Sequence, residues 1–369
     1  MINKHSDYIS LFTGIGGLEG THPPIGYSEI DQTCIEILKK KYHKSKNLGD
    51  VKKAEVIKCN VVVGGWPCQD ISIAGKGKGL RGENSKMFYD MVNYAKNASA
   101  HTIIAENVPN LLKLDSGSVF REVINEFVKL NFKYISWRSI NSRQFGLPHN
   151  RNRIFIVASK DPKIPMSLFR KINAKISNKK SSIGAFYWTA GTHSINYNIG
   201  YVPTLKLGGD FLTPSSIALF FENKIRVLSG IESLRLQGFD PKPFKNISNG
   251  KLVNLAGNAV SKPVGKFVVD GVLNYIINEK NFKFKEIQRN FFENNFEETS
   301  ISKSGFFDGE IHHVSIEETE DKASNLDDFL DLDNENIISQ RAASGLLRRL
   351  DRSSTYCPEI LRKKLEEYV

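Results

Sequence analysis

The sequence predicts an α/β fold, a doubly wound open sheet with helices on both faces, joined to a smaller loop- and strand-rich domain. Three observations predict it. Short apolar or β-branched runs alternate with amphipathic stretches as far as Ser159. Several of those runs end in glycine- or proline-bearing turns. Beyond Ser159 the alternation gives way to a lysine- and arginine-rich segment, then to one rich in Gly, Thr, Asn and Tyr.

Tyr8 to Phe12 reads as a buried strand feeding a tight turn, and Gln32 to Lys41 as a helix with Ile35, Ile37 and Leu38 among polar residues. Asn60 to Val63 is a β-branched strand, Met87 to Asn97 a helix, Thr102 to Ala105 a strand, Phe120 to Leu130 a helix and Arg153 to Ala158 a strand. Apolar strands separated by helices argue for a parallel sheet covered on both sides. Ligands of such sheets bind where the loops collect, beyond the carboxyl ends of the strands. Helical pattern returns from Arg226 to Leu273; a polar segment, an acidic stretch with Asp327, Asp328, Asp331 and Asp333, and a final helical piece follow.

The 369 residues suffice for one large domain with an appendage or for two domains. No run reaches the length of a transmembrane helix, and Met1 to Ser10 lacks a signal-peptide core, so a cytoplasmic protein is expected. The net charge of +11 favours a polyanionic partner without choosing between DNA, RNA and acidic membranes. Cys34, Cys59, Cys68 and Cys357 have neither C-x-x-C spacing nor histidines at zinc-finger distances, so neither a disulfide framework nor a metal is expected.

Leu11-Phe12-Thr13-Gly14-Ile15-Gly16-Gly17 follows the first strand; its glycines let backbone approach a ligand, although an ordinary tight turn would look the same. Glu29 and Asp50 fall where acids could hold ribose hydroxyls and an adenine amino group, or could cap helices. Gly65-Trp66-Pro67-Cys68-Gln69 puts a thiol just after a buried strand; a lone cysteine there is either a nucleophile or an inert buried thiol. Glu106, ending the next strand run, projects into the same crevice or is structural. Arg151 and Arg153, two apart at a strand entry, share a face and can reach a base carbonyl or phosphate, or form a surface charge pair.

In order, these segments resemble the cytosine carbon-5 DNA methyltransferase family: its F-x-G-x-G, P-C-Q, E-N-V and Q-x-R-x-R motifs, then Arg235-Leu236-Gln237-Gly238-Phe239 and Gly257-Asn258-Ala259-Val260. The similarity covers roughly residues 8 to 273, and several ordered motifs outweigh the bland reading of each. The resemblance implies a Rossmann-like doubly wound mixed sheet of the S-adenosylmethionine-dependent methyltransferase kind. It implies Cys68 as nucleophile at carbon 6 of a flipped cytosine, Glu106 on ring nitrogen 3 and the exocyclic amine, Arg153 on the base carbonyl and Arg151 supporting the loop. It assigns the cofactor to Phe12, Gly14, Ile15, Gly16, Gly17, Glu29, Ile30, Asp50, Val51, Pro67, Asn258 and Ala259. Contacts to duplex DNA fall to Gln69, Ser72, Lys76, Lys78 and Arg81 of a closing loop, and to Thr204 and Leu205.

Two departures stand out: His149 replaces the usual glutamine, for which an adjusted loop contact is expected, and Thr13 replaces a smaller residue. The expected division is a catalytic domain over 1–160, a target-recognition domain over 161–225, a return to the catalytic domain over 226–278, a polar, acidic linker or extension over 279–335, and a helical tail over 336–369. Arg341 to Leu350 followed by Pro358 is similar to the C-terminal tails of some bacterial members. The resemblance points to a monomeric, nucleoid-associated modification enzyme paired with a restriction endonuclease. An orphan methyltransferase, a transfer-RNA methyltransferase and an inactive DNA-binding relative are the alternatives; no Cys-Phe-Thr tripeptide of the transfer-RNA group is present.

Overall fold

A computed structural model describes residues 7–69, 71, 80, 82, 86–173, 181–188, 195, 197–206, 217–221, 224–277, 292–293, 301–316, 324–333, 337–352 and 356–369. In chain order the first elements are β1 (Tyr8–Leu11), β2 (Gly26–Ser28), α1 (Gln32–Lys41), β3 (Lys46–Asn47), β4 (Val61–Gly65), α2 (Met87–Asn97), β5 (Thr102–Asn107), α3 (Ser118–Lys129), β6 (Tyr134–Asn141) and β7 (Asn152–Ser159). There follow β8 (Gly184–Tyr187), β9 (Tyr197–Ile199), β10 (Ile217–Phe221), β11 (Lys224–Val227), α4 (Gly230–Leu236), α5 (Asn249–Asn258) and α6 (Lys262–Ile277). The last are β12 (Phe292–Glu293), β13 (Ser304–Phe307), β14 (Ile311–Val314), α7 (Gln340–Arg352) and α8 (Glu359–Tyr368).

The chain divides into two compact units. The first comprises Met1–Ile140, Asn152–Lys171 and Lys262–Thr319. Its sheet runs β12-β14-β13-β6-β7-β5-β4-β1-β2-β3. Pairings β3–β2, β2–β1, β1–β4 and β4–β5 are parallel, whereas β7 is antiparallel to β5, so the sheet is mixed. Burial of Ile9, Leu11 and Val62 on one face and Tyr8, Val61, Val63 and Ile104 on the other explains why these strands read as unbroken apolar runs. The helices follow from local chemistry: Asp31 caps α1 by accepting from Cys34 N–H, and Lys39, Lys40 and Lys41 face the negative end of its dipole.

Strand β6 escaped the sequence reading because its buried Ser136 and Arg138 are polar. Ser136 Oγ donates to Pro165 O, and the Arg138 guanidinium donates to Leu168 O and Arg170 O. Those bonds, with Arg170 donating to Phe267 O of α6, hold 164–170 in the first unit, where the sequence suggested the start of target recognition. Part of the expected linker also pairs: β13 is antiparallel to β6, and Trp137 Nε1 donates to Ser302 O. A Cβ built on Gly305 would lie 2.2 Å from the Trp137 ring, so the strand fits under the indole only with glycine.

The second unit comprises Asn141–Arg151, Ile172–Ser261 and Glu320–Val369, thereby taking in 226–261 and the C-terminal helices. A four-stranded antiparallel sheet, β11-β10-β8-β9, is its framework. Phe186, Phe220 and Ile225 share an apolar cluster with Leu346 and Leu350 of α7 and Leu361 and Leu365 of α8. The helical tail therefore completes the core of this unit. A buried Arg226–Glu232 pair adds a polar clamp, with Arg226 Nη2 also donating to Asp331 O and Asp331 N–H donating to Glu232.

Candidate active site

The glycine-rich turn leaves β1 in left-handed backbone: φ is +55° at Phe12, +57° at Gly14 and +78° at Gly16. Such a conformation is accessible to glycine and strained at Phe12. Glu29 ties the turn to the end of β2: one carboxylate oxygen accepts Gly14 N–H at 2.7 Å, the other accepts the N–H groups of Ile30 and Asp31. Ile15 and Gly17 are buried, and Gly265 of α6 lies so close to Gly17 O that a Cβ there would fall 2.1 Å from it.

Beneath the turn, the Lys41 stem runs along the surface while its ammonium donates to Gly16 O at 2.5 Å. Burial lowers the Lys41 pKa to about 8, with Glu19 pulling the other way. Glu19 is buried and accepts from Ser10 Oγ at 2.6 Å; burial raises its pKa, opposed by Lys41 and Ser10. This acid–base pair was not legible in the sequence, where Lys41 is one of three consecutive lysines.

Beyond the strand ends the surface is open. Among the described residues nothing lies within 4 Å of a Cβ built on Gly14 or Gly49, and Ile30 is 72% exposed beside Glu29. Asp50 is exposed, one oxygen accepting Lys52 N–H, and Val51 is buried. A bare glycine backbone, an apolar plate and flanking carboxylates fit an adenosine-type group. In the second unit, Asn258 is exposed at the end of α5, and Ala259 O accepts from Arg151 and Gln237.

The thiol lies three residues past β4. Trp66 anchors the segment: it is buried, packs on Phe88 with centroids 5.1 Å apart, and its carbonyl accepts from Asn107 Nδ2. Pro67 and Cys68 are half-buried and Gln69 is exposed. Cys68 forms no disulfide, and its carbonyl accepts Ile71 N–H. Cys59, by contrast, is buried and its thiol is pushed up to about 12, an inert core residue.

Glu106 lies beside Gly65 in the β4–β5 register, and its Oε1 is 3.2 Å from Arg153 Nε. The pair is mostly buried, leaving 11% of the Glu106 side chain and 15% of that of Arg153 exposed. A Cβ on Gly65 would sit 2.7 Å from Glu106 Oε2, so the bare residue makes room for the carboxylate. Among the sequence candidates, Glu106 and Arg153 are thus brought together in the first unit.

Arg151 has a different setting. It is buried in the second unit, donating to Leu205 O, Gly257 O and Ala259 O at 2.7–3.1 Å. His149 Nε2 accepts Leu205 N–H, and Thr204 Oγ1 donates to Asn150 O. His149 thus uses a ring nitrogen to hold the 202–205 segment. Leu205 is buried and Thr204 half-buried, so these two residues, expected from the resemblance to touch DNA, brace the loop. Ser72, Lys76, Lys78 and Arg81 lie outside the described residues. Among the described residues no His/Cys/Asp/Glu group could hold a metal ion, and no helix is long and apolar enough to cross a membrane.

A thiol and an arginine-paired carboxylate at the edge of a doubly wound sheet, beside a glycine-rich turn, define an α/β enzyme of the methyltransferase fold. The chain belongs to the C-5 cytosine-specific DNA methylases, matching that family over residues 6–207, and is a DNA (cytosine-5)-methyltransferase. It is 30% identical to the Type II methyltransferase M.NgoBI of Neisseria gonorrhoeae over 69% of this chain and 89% of that one. It is 29% identical to the Type II methyltransferase M2.BsuMI of Bacillus subtilis (strain 168) over 70% and 73%. A prophage-encoded E. coli protein assigned as a DNA modification methyltransferase shares the fold, with TM-score 0.50 and 16% identity over 74% of this chain and 99% of that one.

Proposed function

We propose that this enzyme methylates carbon 5 of a flipped-out cytosine in a specific short duplex sequence, using S-adenosylmethionine, as the modification partner of a restriction endonuclease. The observation that carries the reading is the Glu106–Arg153 pair on the strand edge next to the one that delivers Cys68. The Type II relatives supply the restriction–modification context. The proposal includes a cytoplasmic protein acting as a monomer beside the nucleoid.

Cytosine carbon 5 is unreactive while the ring is aromatic. The Cys68 thiolate adds at carbon 6, forming a carbon–sulfur bond and pushing electron density toward carbon 5 and nitrogen 3. Glu106 holds the proton at nitrogen 3 and accepts from the exocyclic amine, neutralising the ring charge; Arg153 fixes that carboxylate and reaches the base carbonyl. Phe12, Gly14, Ile15, Gly16, Gly17, Glu29, Ile30, Asp50, Val51 and Pro67 of the first unit would hold S-adenosylmethionine, which would supply an electrophilic sulfonium methyl group. Removal of the carbon-5 proton then expels the Cys68 sulfur and restores the ring. Stacking hides these atoms in duplex DNA, so the base is extruded first. Gln69 contacts the DNA, while Arg151, Thr204 and Leu205 fix the loop that reads it.

Bisulfite sequencing of DNA from cells expressing the wild type or Cys68→Ala tests this. Protected cytosines in one sequence context with the wild type, and none with the variant, are expected. Methylated DNA from the variant, or transfer-RNA methylation without DNA methylation, would overturn the reading.

A further inference from the structure

Helix α7 has two unlike faces. Ala343, Leu346 and Leu350 are buried, the two leucines in the apolar cluster of the second unit. Arg341, Arg348 and Arg352 recur at i, i+7 and i+11 and are exposed. At 3.6 residues per turn they fall within about 40° of one another, opposite the buried stripe, with Arg349 flanking them. Among the described residues none of these four arginines makes an ion pair, whereas on α8 Arg362 pairs with Asp351 and Glu366, and Lys363 with Glu367.

Gly345 sits in the middle of the arginine face. A glycine inside a helix costs about 1 kcal/mol relative to alanine. Among the described residues a Cβ there would meet nothing closer than Arg348 Nη2 at 4.0 Å, so no packing contact among them requires the glycine. A bare backbone flanked by guanidinium forks permits close approach of a partner rich in anionic oxygens. The helix's one acid, Asp351, is taken by Arg362 of α8, so the arginine face keeps a repeated positive charge that matches a phosphate backbone, and duplex DNA is the polyanion on which the proposed function acts.

We propose that the Arg341, Gly345, Arg348 and Arg352 face of α7 is a phosphate-binding surface, by which the second unit grips duplex DNA through its backbone independently of sequence. The proposal rests on the duplex-DNA reading above. It makes the C-terminal helices part of the DNA-binding machinery and gives Gly345 a reason.

The test is the binding of full-length protein to a fluorescent duplex of random sequence across a salt series. An Arg341→Gln/Arg348→Gln/Arg352→Gln variant should bind at least tenfold more weakly at low salt. Its slope of log affinity against log salt should fall by about 0.9 for each phosphate that the variant no longer neutralises. Gly345→Gln should raise thermal stability, through helix propensity, while weakening DNA binding, a combination that helix disruption cannot give. The rate on saturating target DNA should stay at the wild-type value in both. Wild-type affinity and slope in both variants overturn the proposal, as does weakened binding to acidic protein or RNA with DNA binding intact. A wild-type protein that methylates no DNA overturns the proposed function instead.

Discussion

Replacing Gly65 by alanine tests how tightly the Glu106 carboxylate, the proposed partner of cytosine nitrogen 3, is placed. The added Cβ would lie 2.7 Å from Glu106 Oε2 and 3.8 Å from Glu106 Cβ and Cδ. Only the oxygen is too close. Relief to an ordinary contact moves it by about 0.7 Å, which turns the carboxylate about its Cγ–Cδ bond and disturbs the 3.2 Å contact with Arg153. Misplacing a catalytic group by about 1 Å costs on the order of 100-fold in rate, so a fall in kcat of roughly 10- to 100-fold is expected. Gly65 lies on a strand with φ outside the left-handed region, so alanine suits the backbone and should hold or raise Tm. Single-turnover methyl transfer, with Tm and cofactor affinity measured in parallel, reads the outcome. Wild-type kcat in Gly65→Ala, or a loss of rate matched by a loss of Tm, would refute the reasoning.

Lys41→Met should weaken S-adenosylmethionine binding with little change in the rate of the saturated enzyme, because the ammonium supports Gly16 rather than the reacting base. With the Lys41 pKa at about 8, wild-type cofactor affinity should fall as pH rises above 8 and the charge on that donor is lost; titration calorimetry should find the variant flat there. Burial raises the Glu232 pKa, but hydrogen bonds from Arg226, Ser229 and Asp331 outweigh it and hold the carboxyl below its ordinary value. A depressed carboxyl contributes stability above the unfolded pKa of 4.5 that is lost as pH falls through the folded value, so the second unit should weaken in acid. Glu232→Ala should cost about 3–5 kcal/mol in denaturant unfolding by stranding buried Arg226, and should flatten that acid response.

Helices α1 and α2 span the same residues in sequence and structure, Gln32–Lys41 and Met87–Asn97, because their periodicity is local. Strand β5 runs on to Asn107, past the apolar run that ends at Ala105, because Glu106 is matched by Arg153 across the sheet; sequence alone does not reveal that partner. The antiparallel β7 is hidden from the residue pattern, since strand direction leaves no mark on an apolar run; the family resemblance implies a mixed sheet without saying which strand reverses. Long-range polar contacts account for the remaining surprises. Arg138, Arg170 and Arg226 draw together segments far apart in sequence, moving 164–170 and 226–261 across the expected boundaries. At the site, motif order singles out Cys68, Glu106 and Arg153 as candidates. The support from Gly65, Lys41 and Glu19 needed coordinates, because each acts through a neighbour on another element.

The most direct test of Cys68 as the nucleophile uses target duplex carrying 5-fluorocytosine at the methylated position. Fluorine cannot leave carbon 5 as a proton does, so the enzyme should stop as a covalent adduct after methyl transfer. Mass spectrometry of the digested complex should find one Cys68 peptide joined to a methylated fluoropyrimidine, and no adduct with Cys68→Ala. An adduct through another residue, or methyl transfer by the alanine variant, would contradict the account.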